Sequence, residues 1–515
     1  MNTQIVNMRN FIHYIILLIA GAAVTLSFAP FFIWPIGLLS LTIFALALKE
    51  KTASQSLKYS FIFGLGLYLG GVHWVYTSIH HFGGASVFLA SLLVVIFAIF
   101  LAAVFCLPFY IAGKWFSQSK WQLIFVVPAC WLLGEWLRSW LLTGFPWLYL
   151  GYAHLETWLA GWAPILGVMG ISFFVVVTAG AIAELSLALI KKANTTKLFL
   201  SLSFALIFSL WIGGALLQKV NWAIPENTPI KVAMVQPNLS QDIKLSWTQE
   251  SVYKSLDQLR DQSKELWKND WVIWPEAAIP TALTFHTALT FLEEMNSIAS
   301  ENNAALFTGV IYDDEEKHAY YNSIVGLGSG YGFYHKRRLV PFGEYVPLEN
   351  ELRGLIEFFD LPTSFINIGP EDQHGLMAKG IRITPAICYE IAYPDLIAKS
   401  AKETQVLLNI NNLGWFLDSI QSKQFMQMAQ MRALETGRYL VYNTNNGPSA
   451  IINNKGRVII QSAAFKSQTL NGIIYPVKEW TPFMYFGTWP IPAFIIILLL
   501  AMRIWQMKRA TKDNK

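Results

Sequence analysis

Apolar residues gather into eight long stretches along the 515-residue chain. Seven precede residue 220, at about 11–29, 31–48, 59–79, 86–111, 121–141, 163–190 and 198–217, and one follows at 483–505. Each is close to the ~20 residues needed to cross a ~30 Å hydrocarbon core. An open strand in lipid would leave backbone groups unpaired, so the pattern predicts helices, and hence a multi-pass α-helical bundle of eight spans. "SFAPFFIWP" and further spans follow the first stretch at once, which predicts an uncleaved anchor rather than a removed leader.

The loops set the orientation. Arg9 precedes the first stretch, and Lys49, Lys51 and Lys58 lie between the second and third. Lys114 and Lys120 follow the fourth, Lys191, Lys192 and Lys197 the sixth, and Arg503, Lys508, Arg509, Lys512 and Lys515 the last. The intervening short loops "SFAPF" and "HHFGGAS" carry no Lys or Arg. Positive loops stay inside, so both termini are expected in the cytoplasm. The domain reading is a seven-span bundle at 1–217, an exported domain at 218–482, and a final span with a basic tail at 483–515.

Within 218–482 the pattern changes to short β-type runs alternating with helical ones. Strands are expected at 230–236, 271–276, 305–312, 320–328, 380–390, 406–412 and within 440–454, and helices over 249–268, 289–303 and 422–436. About 260 residues in this order make an α/β domain with its own core. "GLGSG" (326–330) precedes a strand-like segment, not a helix, and so is no phosphate loop.

Composition agrees with a membrane class: the chain is 54% hydrophobic and only 14% charged, against about a quarter charged in soluble domains. The net charge of +5 sits mostly in the short loops, which argues against a nucleic-acid partner.

The candidate chemistry starts from three cysteines. Cys106 and Cys130 fall within apolar stretches, where a thiol is a small apolar filler. That leaves Cys388 alone in the exported domain, as an inert buried residue, an intermolecular link or a free reactive thiol. No Cys/His cluster with ligand spacing surrounds it, so neither a metal nor a cofactor is expected. "WVIWPEAAIP" ends an apolar strand with Glu276, and "YHKRRLVPFGEYVP" sets Lys336 after an aromatic strand and Glu344 on a turn. Lys336, Arg337 and Arg338 also read as a basic surface patch or a lipid head-group contact. A thiol, a carboxylate and an ammonium at strand ends are equally the parts of an acyl-transfer site: nucleophile, base and oxyanion stabiliser.

The segments around Glu276, Lys336 and Cys388, in that order, resemble the Glu-Lys-Cys triad of the nitrilase superfamily. With spans on both sides, and with "TGFPW" (143–147), "VQPN" (235–238), "LVPFGEYVP" (339–347), "QMAQMRALETGRYL" (427–440) and "TNNGPSA" (444–450), nearly the whole chain resembles the apolipoprotein N-acyltransferases of bacterial inner membranes. The resemblance implies a four-layer α-β-β-α sandwich for the exported, periplasmic domain. It implies that an acyl chain passes from a phospholipid, phosphatidylethanolamine as donor, onto Cys388; nothing in the sequence demands an oligomer, so a monomer is expected. The thioester then passes to the α-amine of a diacylglyceryl-cysteine at the N-terminus of an apolipoprotein. Glu276 becomes the base, Lys336 the oxyanion stabiliser, and Glu344, Tyr389 and Glu390 supporting residues. Trp247, Trp415 and Phe416 become lipid contacts, although Trp415 and Phe416 are also ordinary core candidates. One position departs: Leu413 in "NNLGWF" stands where an acid is expected. The apolar loop 357–369 is a candidate lid that dips into the membrane, or a plain connection with packed aromatics.

Two other functions fit parts of the pattern. A membrane-tethered amidase or nitrile hydrolase would use the same triad and send the thioester to water. A transporter with an accessory outer domain would need charges along a membrane path. Glu135, Arg138 and Glu184 are the few available, and they read better as bundle-stabilising pairs or head-group contacts.

Overall fold

The computed structural model describes residues 2–191, 197–241, 248–279, 282, 286–346 and 365–513. They form two compact units, one of 1–76, 88–220 and 486–515 and the other of 77–87 and 221–485.

The first unit is helical. Among the described residues, five helices are long and apolar enough to cross a membrane: Val87–Trp115, Gln122–Thr143, Trp158–Ile190, Leu200–Leu217 and Pro490–Arg509. Ala53–Val72 joins them if it is counted with the bent continuation Val75–Phe82. The two remaining apolar stretches form shorter helices, Phe11–Ser27 and Trp34–Leu48. At 1.5 Å per residue the second reaches only about 22 Å, short of a full hydrocarbon core. Glycines let neighbouring helices touch: a Cβ on Gly21 would lie 2.0 Å from the Phe63 carbonyl oxygen, and one on Gly66 2.0 Å from that of Leu18. Phe44, Phe63, Phe105 and Trp131 form an aromatic core.

The few charges here stabilise the bundle. Glu184 pairs with Lys49 at 2.7 Å. Glu135 accepts from Trp131 Nε1 and the Leu150 N–H, both at 2.9 Å, and Arg138 donates to the carbonyls of Phe145 and Trp147. Arg138 thereby pins the irregular stretch of "TGFPW" and Glu135 the residue Leu150 that follows it.

The second unit holds two mixed sheets. The strands are β1 (Ile230–Gln236), β2 (Trp271–Ile273), β3 (Ala305–Asp314), β4 (Ala319–Gly328), β5 (Gly330–Tyr331), β6 (Phe333–His335) and β7 (Leu376–Ala378). They continue as β8 (Ile381–Ile387), β9 (Val406–Asn411), β10 (Tyr439–Thr444), β11 (Ala450–Ile452), β12 (Val458–Gln461) and β13 (Gln468–Ile474). One sheet has the order β13-β1-β2-β3-β4-β6, and the other β12-β11-β10-β9-β8-β7-β5. Parallel neighbours are joined by crossover helices: β1 to β2 by Gln249–Ser263, β2 to β3 by His286–Glu301, β8 to β9 by Pro394–Ala401 and β9 to β10 by Ile420–Thr436.

Alternation along β1 shows how the layers stack. Val232 and Met234 enter the core between the sheets with Ile387, Leu408, Val441 and Ile451. Ala233 and Val235 face the other way, against Leu256, Leu259, Phe291 and Met295 of the first two crossover helices. The helices after β8 and β9 pack on the second sheet. Burial on both faces explains why these strands read as continuous apolar runs.

Several sequence boundaries move. The run 271–276 is extended only to Ile273, and 380–390 stops at Ile387, where Cys388–Ala392 forms a 3₁₀ turn. The stretch 440–454 is two strands, β10 and β11, across a tight connection. The helix expected over 249–268 ends at Ser263, and those expected over 289–303 and 422–436 begin at His286 and Ile420.

Candidate active site

Three strand ends and one turn converge. Glu276 follows β2 and is held in place by β3, where Trp274 N–H donates to Phe307 O at 2.9 Å and Ala278 N–H to Gly309 O at 3.1 Å. Lys336 follows β6, and its N–H donates to the Asn322 carbonyl on β4 at 2.8 Å. Cys388 follows β8 with φ +47°, a left-handed conformation that is unfavourable for a residue with a side chain. Glu344 sits on the turn after Val340, with its Oε2 accepting from the Val340 N–H at 2.8 Å.

The Lys336 ammonium is 1% exposed and lies between two carboxylates, 2.8 Å from Glu344 Oε1 and 3.3 Å from Glu276 Oε1. Asn322 Nδ2 bridges the same two oxygens, at 2.8 Å to Glu276 and 3.0 Å to Glu344. The other Glu276 oxygen accepts the Asn412 N–H at 2.7 Å. Asn412 in turn belongs to a buried amide chain, donating to Gln241 and accepting from Asn445, both at 3.1 Å.

Burial alone would lower the Lys336 ammonium, but Glu344, Glu276 and Cys388 together hold it well above its ordinary range. Burial raises the Cys388 thiol, and Glu276 raises it further. Lys336 opposes that shift and Glu344 adds to it, while the Tyr389 backbone N–H also favours the thiolate; the net direction is upward. At neutral pH the resting pair is therefore a protonated thiol beside a permanent cation.

Glu390 ties two of the strand ends together. One oxygen accepts from Tyr334 OH at 2.8 Å and from the N–H groups of Arg337 and Arg338 at 2.7 and 3.2 Å; the other accepts from Ile387 N–H at 2.8 Å. A single buried carboxylate thus joins the chain after Lys336 to the chain before Cys388. Tyr389 lies edge-on to Tyr393, with ring centroids 5.2 Å apart.

The structure brings Glu276, Lys336, Glu344, Cys388, Tyr389 and Glu390 into this one site. Trp415 and Phe416 lie on a 3₁₀ turn after β9, where Trp415 meets Phe82 edge to face at 5.5 Å. Leu413 is buried and fits against Gly447, where a Cβ would lie 2.7 Å from its Cδ1. Trp247 and residues 357–364 of the candidate lid lie outside the described residues. Sequence reading missed Asn322 and the amide chain through Asn412; the available signal was amides in strands otherwise apolar enough to be buried, as in "YNS" and "NINN".

Two mixed sheets with a carboxylate, an ammonium and a thiol at their strand ends define a class, and residues 231–475 match the carbon-nitrogen hydrolase family. Residues 20–181 match the apolipoprotein N-acyltransferase N-terminal domain. The chain is 40% identical over 496 residues to the apolipoprotein N-acyltransferase of Pseudomonas syringae pv. tomato, covering 95% of this chain and 96% of that one. It is 41% identical over 487 residues to that of Pseudomonas putida, covering 94% of each. The chain belongs to the apolipoprotein N-acyltransferase family. Among solved structures, a carbon-nitrogen hydrolase from Helicobacter pylori is similar at 17% identity and TM-score 0.36, covering 48% of this chain and 89% of that one.

Proposed function

We propose that the protein N-acylates the N-terminal diacylglyceryl-cysteine of apolipoproteins, with a phospholipid as acyl donor. Similarity to apolipoprotein N-acyltransferases over nearly the full chain carries this reading. Phosphatidylethanolamine is the proposed donor and a monomer the proposed state. The eight apolar stretches would anchor the chain in the bacterial inner membrane, with the second unit on the periplasmic side. Both substrates are lipids held in the outer leaflet, and exposing a chain to water would cost about 0.8 kcal/mol per CH₂.

In the first half-reaction Glu276 takes the Cys388 proton as sulfur attacks the acyl ester carbonyl. The Lys336 ammonium stabilises the oxyanion, the carbon–oxygen bond breaks, and the lysophospholipid oxygen leaves with the proton from Glu276. In the second, the acceptor α-amine attacks the thioester and gives up a proton to Glu276. The carbon–sulfur bond breaks and Cys388 is reprotonated. Glu344 holds Lys336, and Glu390 with Tyr389 holds the turn that carries Cys388.

Intact-mass measurement tests this directly. Phospholipid alone should leave one acyl group on Cys388 that persists in water. A diacylglyceryl-cysteinyl peptide with a free α-amine should discharge it and gain one acyl group, whereas an N-acetylated peptide should not. Cys388→Ala should form no adduct, and Cys106→Ala and Cys130→Ala should behave as the parent. Free fatty acid as product with or without the amine would make the protein a hydrolase.

A further inference from the structure

Asn322 has no part in the chemistry just described, yet it contacts both carboxylates that pair with Lys336. It lies on β4, is 5% exposed, and gives one Nδ2 to both Glu276 Oε1 and Glu344 Oε1. Its backbone carbonyl receives the Lys336 N–H. The same two carboxylate oxygens are therefore bridged twice, once by the ammonium and once by a neutral amide. The ammonium is unevenly shared, 2.8 Å from Glu344 and 3.3 Å from Glu276.

We propose that Asn322 is a positioning residue for acyl-enzyme formation: its side-chain amide bridges Glu276 and Glu344 and sets the orientation in which Glu276 takes the thiol proton. A carboxylate locked to an ammonium is a weak base, because the pair favours its ionised form. A donor that carries no charge and exchanges no proton holds Glu276 in place with a weaker pull toward the ionised form than a second ammonium would exert. Two carboxylates facing each other also need more than one ammonium to satisfy their oxygens, and a second cation there would bind Glu276 tightly. Only a neutral donor meets both demands. The proposal rests on Glu276 acting as the base.

The test is single-turnover formation of the Cys388 thioester against pH, with phosphatidylethanolamine in detergent micelles, on the full-length protein. Asn322→Leu keeps the size and the backbone carbonyl and loses the donor. Its rate should fall by about 10²-fold, the scale of a misplaced catalytic group, with the phospholipid KM within twofold. Asn322→Asp puts a third carboxylate beside Glu276 and Glu344. The charged groups around it are Glu276 after β2, Lys336 after β6 and Glu344 on its turn, and Lys336 in turn acts on Cys388 after β8 and on Glu390. Added negative charge holds the proton on the thiol, so the rising limb of the Asn322→Asp profile should move to higher pH. A side chain that merely fills space would be replaced by Leu, of similar size, with no loss of rate. Parental rate and profile in either variant, with parental thermal unfolding, would overturn the proposal. If Asn322→Leu does not fold, Asn322→Ala, which also loses the donor, decides by the same rate and KM readout. A Cys388→Ala control that still acquires an acyl group would instead sink the underlying reaction scheme.

Discussion

Glu276 and Lys336 pull the Cys388 thiol in opposite directions, and this separates their roles experimentally. Glu276 raises the thiol and Lys336 lowers it. Glu276→Gln removes a raising charge, so the thiol of that variant should ionise at lower pH than in the parent. Alkylation by iodoacetamide, an uncharged reagent, should show that lower midpoint even while thioester formation from phospholipid collapses for want of a base. Lys336→Met should move both the other way, with a higher midpoint and a slower acyl-enzyme, the latter by about 10²–10³-fold for one lost oxyanion stabiliser. If Glu276→Gln acylates at the parental rate, the carboxylate tunes the thiol and is not its base. A parental alkylation midpoint in Lys336→Met would remove the ammonium from contact with the sulfur.

At the scale of elements, the glycine at 309 shows how little room the site segment has. A Cβ there would lie 2.6 Å from both Ala277 N and Pro275 O and 2.7 Å from Glu276 Cα. β3 and the segment after β2 touch through bare backbone, with Gly309 N–H donating to Pro275 O at 3.2 Å. Gly309→Ala must push the Glu276 segment away. It should cost about 1–3 kcal/mol of stability by overpacking and about 10²-fold in acyl-enzyme formation, read by thermal unfolding and single-turnover mass measurement. Activity equal to the parent would mean that Glu276 tolerates displacement. Much of this layer was legible, because strands buried on both faces read as apolar runs and the helices between them show period 3.6. The lone thiol and the strand-end carboxylate stood out by type. The rest was not legible for physical reasons. β13 pairs with β1 in register Ile230↔Ile474, a contact no local pattern reports. The exposed alternation of β12 and β13 carries a weak signal, and the extended run into Cys388 hides a turn that only its φ and Glu390 define. Asn322 looks like any polar strand position until β2, β6 and the Glu344 turn are brought around it.

For the whole molecule, orientation follows from the parity of the spans. Two of the seven apolar stretches before residue 220 are short helices, Phe11–Ser27 and Trp34–Leu48, and they are consecutive. If both cross, seven spans precede the second unit; if neither does, they form one hairpin that enters and leaves on the same side, and five spans remain. Both counts are odd when the bent pair Ala53–Val72 and Val75–Phe82 is one span, and the chain would then enter residue 221 on the side opposite its N-terminus. Gln118, beyond the helix Val87–Trp115, falls on the N-terminal side in both. The Lys and Arg residues of the loops at 49–58, 114–120 and 191–197 share that side, which the positive-inside tendency assigns to the cytoplasm. Single cysteines at Gln118 and Lys268, both exposed, test the assignment in a background without native thiols. In intact cells a membrane-impermeant maleimide should label position 268 and leave 118 unlabelled until the membrane is opened. Labelling at 118 alone would invert the protein and put the Glu276–Lys336–Cys388 site on the cytoplasmic side. Labelling at both would mean that an even number of crossings separates the two positions, so that one of the helices between them does not span.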